Sequence, residues 1–121
     1  MALASSLGED AALTGITGST DYMSSCTGSP GTSTSVANEV SGGSYARQSI
    51  TWASASAGSQ ASSDSQSFSI PSSTTVADFG LHSASSGTGD YYIGGALTSS
   101  QTFSTAGTLT FAIGAVTLTA S

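Results

Sequence analysis

The chain has 121 residues, of which 37% are hydrophobic and 7% charged, with one Lys or Arg against seven Asp or Glu and a formal net charge of −6. That length suits a single domain. The lone basic residue excludes nucleic-acid binding, which needs several cations to displace phosphate counterions, and attachment to anionic membranes.

The opening stretch Met1-Ala2-Leu3-Ala4-Ser5-Ser6-Leu7 lacks the basic region of a signal peptide. The single cysteine, Cys26, offers no disulfide framework. Both features predict assembly in a reducing cytoplasm. Ser6 and Glu9 have the spacing of a capping box before Ala11-Ala12-Leu13. Such a helix would be about two turns, weakened by Gly8 and Gly15 and too short to stand alone. Residues 1–20 therefore read as an N-terminal arm, frayed or docked on a neighbour through Leu3, Leu7, Leu13 and Ile16. Residues 21–121 read as the single β domain.

From residue 21 the apolar period is two. Asp21 to Cys26 predicts a first strand, ended by the turn-rich Thr27-Gly28-Ser29-Pro30-Gly31. Glu39-Val40-Ser41 and Ser44-Tyr45-Ala46 flank Gly42-Gly43, which predicts a hairpin with a two-residue turn. Its second arm would run to Trp52, with Ile50 and Trp52 on one face. Residues 53–66 are nearly all small or polar and read as an exposed loop. Phe68 and Ile70 alternate up to Pro71. Ala77, Phe79 and Leu81 alternate with Asp78, Gly80 and His82. Tyr91, Ile93 and Leu97 share a face, and Gly94-Gly95 marks a bulge or a close backbone approach. Leu109, Phe111 and Ile113 alternate, then Val116 and Leu118 do so in the opposite parity, which predicts a bulge or break at Gly114-Ala115.

These runs predict an all-β fold, a small antiparallel sandwich or barrel with an N-terminal arm. Its core would hold Trp52, Phe68, Ile70, Phe79, Leu81, Ile93, Leu97, Leu109, Phe111 and Leu118. With Ser and Thr at about 45 positions, well above the usual share, that core is thin and would gain from oligomerisation.

Catalytic chemistry finds little support. His82 is the only histidine available as a base, and serines are so many that a triad cannot be told from coincidence. Asp78 and His82 would share a strand face about 13 Å apart, too far to bind one metal, and read as the polar face of a half-exposed strand. Gly87-Thr88-Gly89 reads as a hairpin loop, because no third glycine or helix follows. Cys26 reads as a small buried side chain. Neither catalytic residues, metal nor cofactor are expected. Tyr22, Tyr45, Tyr91 and Tyr92 would be the stacking residues of a carbohydrate-binding module, although Tyr91 and Tyr92 must point to opposite faces.

The run Asn38-Glu39-Val40-Ser41-Gly42-Gly43-Ser44-Tyr45-Ala46-Arg47, with Thr51-Trp52, Phe79-Gly80-Leu81-His82 and Gly94-Gly95-Ala96-Leu97, resembles a family of small tailed-bacteriophage virion proteins, variously labelled capsid decoration, head fibre or tail fibre proteins. The resemblance covers about residues 38–119. It implies a virion structural protein made in the bacterial cytoplasm. Together with the chain's small size, which suits a unit docked many times on a shell, it points to a capsid decoration or minor capsid protein on the outer surface. Its partners would be the major capsid protein and copies of itself as a homotrimer. A tail or fibre component attaching to the host surface is the alternative. Arg47, the only permanent cation, is expected close to Glu39 across the predicted hairpin. It would either form an exposed intrachain pair or, with Glu39 and Tyr45 beside it, anchor an interface between subunits or with the capsid.

Overall fold

The computed structural model describes residues 6–119, and for Ser6 and Leu7 only the backbone. Helix α1 spans Ser6–Thr17; the strands are β1 (Tyr22–Cys26), β2 (Gln48–Ser49), β3 (Ser59–Ala61), β4 (Gln66–Ile70), β5 (Thr74–His82), β6 (Tyr91–Phe103), β7 (Gly107–Phe111) and β8 (Thr117–Thr119). Every pairing is antiparallel. One sheet has the order β2-β1-β5-β6, and β3-β8 and β4-β7 form two further pairs. The fold is all-β, as the alternation predicts, with open sheets and no closed barrel.

The backbone of this architecture is one long ribbon. Gln66 pairs with Phe111 and Ile70 with Gly107; beyond the corner Thr74 pairs with Phe103 and Val76 with Gln101. Three residues lie between the flanking pairs on each arm, so the register passes through the corner unchanged. Pro71, which has no N–H to give a ladder, sits at that corner, and Ser73 takes a positive φ of 58° there. Further on, Val76 pairs with Gln101 but Asp78 with Ala96. A single residue, Ala77, thus faces four, and Leu97 to Ser100 bulge out of the ladder. Past Gly80 and Leu81 the ribbon ends in the loop 84–89.

Leu13, Met23, Val40, Ile50, Phe68, Ile70, Val76, Leu81, Val116 and Leu118 form the buried cluster. Phe68 lies at its centre, stacked on Tyr45 at 6.2 Å between ring centroids and edge-on to Phe111 at 5.8 Å. The alternation in β4 is complete, with Gln66, Phe68 and Ile70 buried and Ser67 and Ser69 exposed. The parity switch near the end is a break: β7 stops at Phe111, Gly114 turns with φ 80°, and β8 follows.

Several expectations are corrected. The hairpin around Gly42-Gly43 does not form. Glu39 instead bridges to Cys26, and Gln48 pairs with Met23. Both lie along the same edge of β1, where Val40 N also donates to the Ser25 carbonyl at 2.9 Å, and residues 41–47 bulge away from it as a loop. Residues 53–66 are not an exposed loop, because they contribute β3 and bury Gln60, Ser62 and Gln66. Burying Gln60 is tolerable because its amide donates to the Ala53 carbonyl at 2.6 Å and its oxygen accepts from Thr17 Oγ1 at 3.1 Å. His82 is completely buried rather than part of a half-exposed polar face. Among the expected core residues, Trp52, Phe79, Ile93, Leu97, Leu109 and Phe111 are only half-buried around the cluster.

The N-terminal segment forms a 12-residue helix, longer than two turns. It packs on the β domain of its own chain. Leu13 is inside the buried cluster with Ile16 against it, and Asp10 Oδ1 accepts from Gly58 N at 2.8 Å. Leu3 lies outside the described residues, as does the side chain of Leu7.

The Gly94-Gly95 expectation of a close backbone approach holds at Gly94. A methyl group there would sit 2.6 Å from Pro30 Cγ and 2.8 Å from Tyr91 Oη, and would collide with the Phe79 carbonyl. Backbone atoms cannot move aside cheaply, so Gly94→Ala is expected to destabilise by about 1–3 kcal/mol. Urea unfolding followed by circular dichroism measures this. Gly42→Ala offers a comparison from open space, where the strain of φ +102° acts alone.

Candidate functional site

The loop 40–46 and the ribbon tip 84–89 come together on one guanidinium. Arg47 Nε donates to Glu39 Oε2 at 2.9 Å and Nη2 to Glu39 Oε1 at 3.0 Å, a bidentate pair. Nη1 donates to Asp90 Oδ2 at 2.6 Å and to the Ala84 carbonyl at 3.0 Å, and Nη2 also donates to the Gly87 carbonyl at 3.1 Å. Arginine has five N–H donors, and all five are used within the chain. Arg47 is therefore an internal clamp with no donor left for another subunit. Tyr45 supports it from behind: its hydroxyl donates to Glu39 Oε2 at 2.9 Å and accepts from Ser25 N at 3.0 Å. Arg47, Glu39 and Tyr45 thus meet, as the sequence suggests, but inside the fold.

Burial opposes the charge on Arg47, yet the contacts with Glu39 and Asp90 outweigh it and raise its pKa above the ordinary value. Burial pushes the Tyr45 hydroxyl well up, with Glu39 adding to the effect. Cys26 is buried, and desolvation pushes its thiol up to about 11, with the Ser24 hydrogen bond and Arg47 opposing and Glu39 and Asp78 adding to the rise. It is an unreactive thiol at neutral pH.

Behind the clamp lies a second polar chain. His82 Nε2 is 2.7 Å from Ser24 Oγ, and His82 Nδ1 is 3.6 Å from Asp90 Oδ1. Ser24, His82 and Asp90 thus stand in the order of a catalytic triad. Ser24 and His82 are both completely buried. A Cβ on Gly80 would lie 2.8 Å from Ser24 Oγ, so no space exists there for a substrate. The constellation is a buried polar network. Among the described residues no three His, Cys, Asp or Glu are grouped to hold a metal ion.

Burial lowers the pKa of His82 below its ordinary value, Arg47 adds to this, and Asp90 and Glu39 oppose it. The unfolded chain takes up a proton near pH 6.5, whereas folded His82 resists protonation to a lower pH. The unfolded state then binds more protons, so stability falls as the pH drops below about 6.5 and levels off once the folded pKa is passed. Denaturant midpoints measured against pH should show this slope, and His82→Gln should remove it.

Outside this network the loop end is neutral. The exposed segments 31–35, 41–44 and 85–89 contain no charged side chain. Thr34 carbonyl accepts from Tyr91 N at 3.0 Å, which ties the first of these segments to the ribbon next to Asp90. A groove of about 360 Å³ runs between Ser41, Gly42 and Tyr45 on one side and Ser85 to Gly87 on the other. A second, of about 400 Å³, lies between Gly31 to Thr34 and Tyr91 to Gly94. Tyr92, 54% exposed, borders it, whereas Tyr91 and Tyr45 are turned inward. Tyr22 is half-buried on β1. Asp90, Ser24 and the two accepting carbonyls are not among the residues the sequence singles out. The hairpin loop expected at Gly87-Thr88-Gly89 implies that Asp90 lies near His82, the signal the sequence carries for this contact.

A family model described as podophage GP4 fiber I protein gp80 matches residues 10–119. No curated protein and no solved structure matches the chain.

Proposed function

The chain belongs to the podophage GP4 fiber I protein family, and from that premise we propose that it is a fibre component of the virion that contacts the bacterial surface through its loop end. The observation that carries this reading is the clamp. One buried guanidinium holds two loops of Ser, Thr and Gly in a fixed shape, so a hydroxyl-rich surface is ordered before it meets a partner. Binding-competent loops on a rigid sheet are a recurrent arrangement. Neutral hydroxyls, backbone groups and the exposed Tyr92 ring suit uncharged polysaccharide, and weak contacts of that kind gain strength from several copies per particle.

Docking on the shell as a decoration protein, the other virion role suggested by the sequence, makes a different prediction. Immunogold labelling of intact particles should mark fibres at a few sites. Label spread evenly over the head would overturn the fibre assignment. Purified protein should also sediment with host cells, and Tyr92→Ala should reduce the bound fraction without changing the circular-dichroism spectrum. Equal binding by parent and variant would remove Tyr92 from the contact.

A further inference from the structure

We propose that the outer edge of the β6–β7 arm, with the groove beside it, is the surface on which a second copy of this chain docks. The two arms of the ribbon are unequally covered. On β4, Phe68 and Ile70 are fully buried, while on β7 their neighbours Leu109 and Phe111 are half-exposed. On β5, Val76 and Leu81 are fully buried, while on β6 Ile93, Leu97 and Phe103 are not. The apolar face of the ribbon therefore runs out past what this chain covers. It opens into a groove of about 600 Å³ lined by Phe79, Leu97, Leu109 and Phe111. Ile113, 71% exposed, lies in the turn that leads to Ala115 on the wall of that groove.

The strand edges at this groove are unpaired. β6 ends its sheet, and β7 pairs only with β4. A long free edge is a template for another strand, and edges meant to stay free are commonly guarded by charge, proline or short length. β6 is 13 residues long, its edge divided by the bulge at Leu97 to Ser100 and bonded to the Thr34 carbonyl at Tyr91 N. From Tyr91 to Thr119 there is no charged side chain and no proline.

Charge also selects the occupant. All seven carboxylates precede Tyr91 in a chain of net charge −6, and its single arginine is consumed internally. A contact made through β6 and β7 brings no carboxylate of those strands against its copy. A strongly charged partner would find nothing here to pair with. An identical edge offers matching free backbone groups and matching apolar side chains, as symmetric self-association requires. This inference does not depend on the host-contact reading, and the two tests are separate.

Sedimentation of the purified chain over a concentration series tests it. The parent should run as a multiple of 11.7 kDa. Thr110→Asp combined with Ile113→Ser puts a charge on the groove wall and removes the exposed apolar side chain of the adjoining turn. It should raise the dissociation constant by about tenfold or more, with an unchanged circular-dichroism spectrum. Ser41→Asp, at the loop end, should associate like the parent. A parent that is monomeric at every concentration overturns the proposal. So does a groove variant that associates as tightly as the parent, or a cross-linker at position 113 that captures only a different virion protein in intact particles.

Discussion

Arg47→Ala is expected to destabilise the fold by about 3–5 kcal/mol, the cost of breaking a buried ion pair from one side. An exposed pair would lose 0–1 kcal/mol, so burial decides between the two magnitudes. The side chains of Arg47 and Asp90 are only 4% and 9% exposed, and that of Glu39 is 21%. Removing the guanidinium leaves two carboxylates facing each other without a cation, and the Ala84 and Gly87 carbonyls lose their Nη1 and Nη2 donors. Arg47→Lys restores the charge but has three donors on a point-like group, so it cannot serve a bidentate carboxylate, a second carboxylate and two carbonyls together. It should recover part of the loss. Urea unfolding measures both variants, and an Arg47→Ala midpoint equal to that of the parent would mean that the loops hold their shape without the clamp. The same variant should move the pH dependence. Arg47 is one of the influences keeping His82 neutral, and without it Asp90 acts on the ring unopposed by that charge. The pH at which His82 becomes charged should then rise.

What the sequence reveals follows from how local each signal is. β4 is legible because Phe68 and Ile70 alternate with serines and a proline stops the run. The break at Gly114 is legible because parity changes across it. The joined register of β4–β5 with β6–β7 is not, since nothing in either arm states which residues meet across so many intervening positions. β3 is invisible for another reason: Ser59-Gln60-Ala61 contains no apolar pattern, and Gln60 is buried by virtue of two hydrogen bonds rather than hydrophobicity. The nearness of Arg47 to Glu39 is legible, but through a hairpin that does not exist. The true cause is that β1 pairs with both ends of the bulged segment, which brings residues 39 and 48 onto one edge. That Arg47 is an internal clamp depends on Asp90 and the ribbon tip, which only the long-range register delivers.

That dependence of the site on the ribbon leads to the largest expected effect of a core change, Phe68→Ala. Phe68 is completely buried, and replacing a buried phenylalanine by alanine costs about 3–5 kcal/mol, through lost transfer energy and the cavity left behind. Here collapse into the cavity is limited on two sides. Tyr45 stacks on one face of the ring, but its hydroxyl is fixed between Ser25 N and Glu39 Oε2. Phe111 meets the ring edge-on from β7, and its backbone is fixed by pairing with β4. Either Tyr45 stays and the cavity remains, or Tyr45 tips inward and gives up its bond to Glu39, loosening the carboxylate that holds Arg47. The energetic consequence should therefore reach the loop end. A double-mutant cycle of Phe68→Ala with Tyr45→Phe, read by urea unfolding, separates the two outcomes. A coupling energy of about 0.5 kcal/mol or more means that the core residue and the clamp act as one unit. Strict additivity would mean that Phe68 supports the sheet alone, and that the clamp is held by the loops and Asp90 without help from the core.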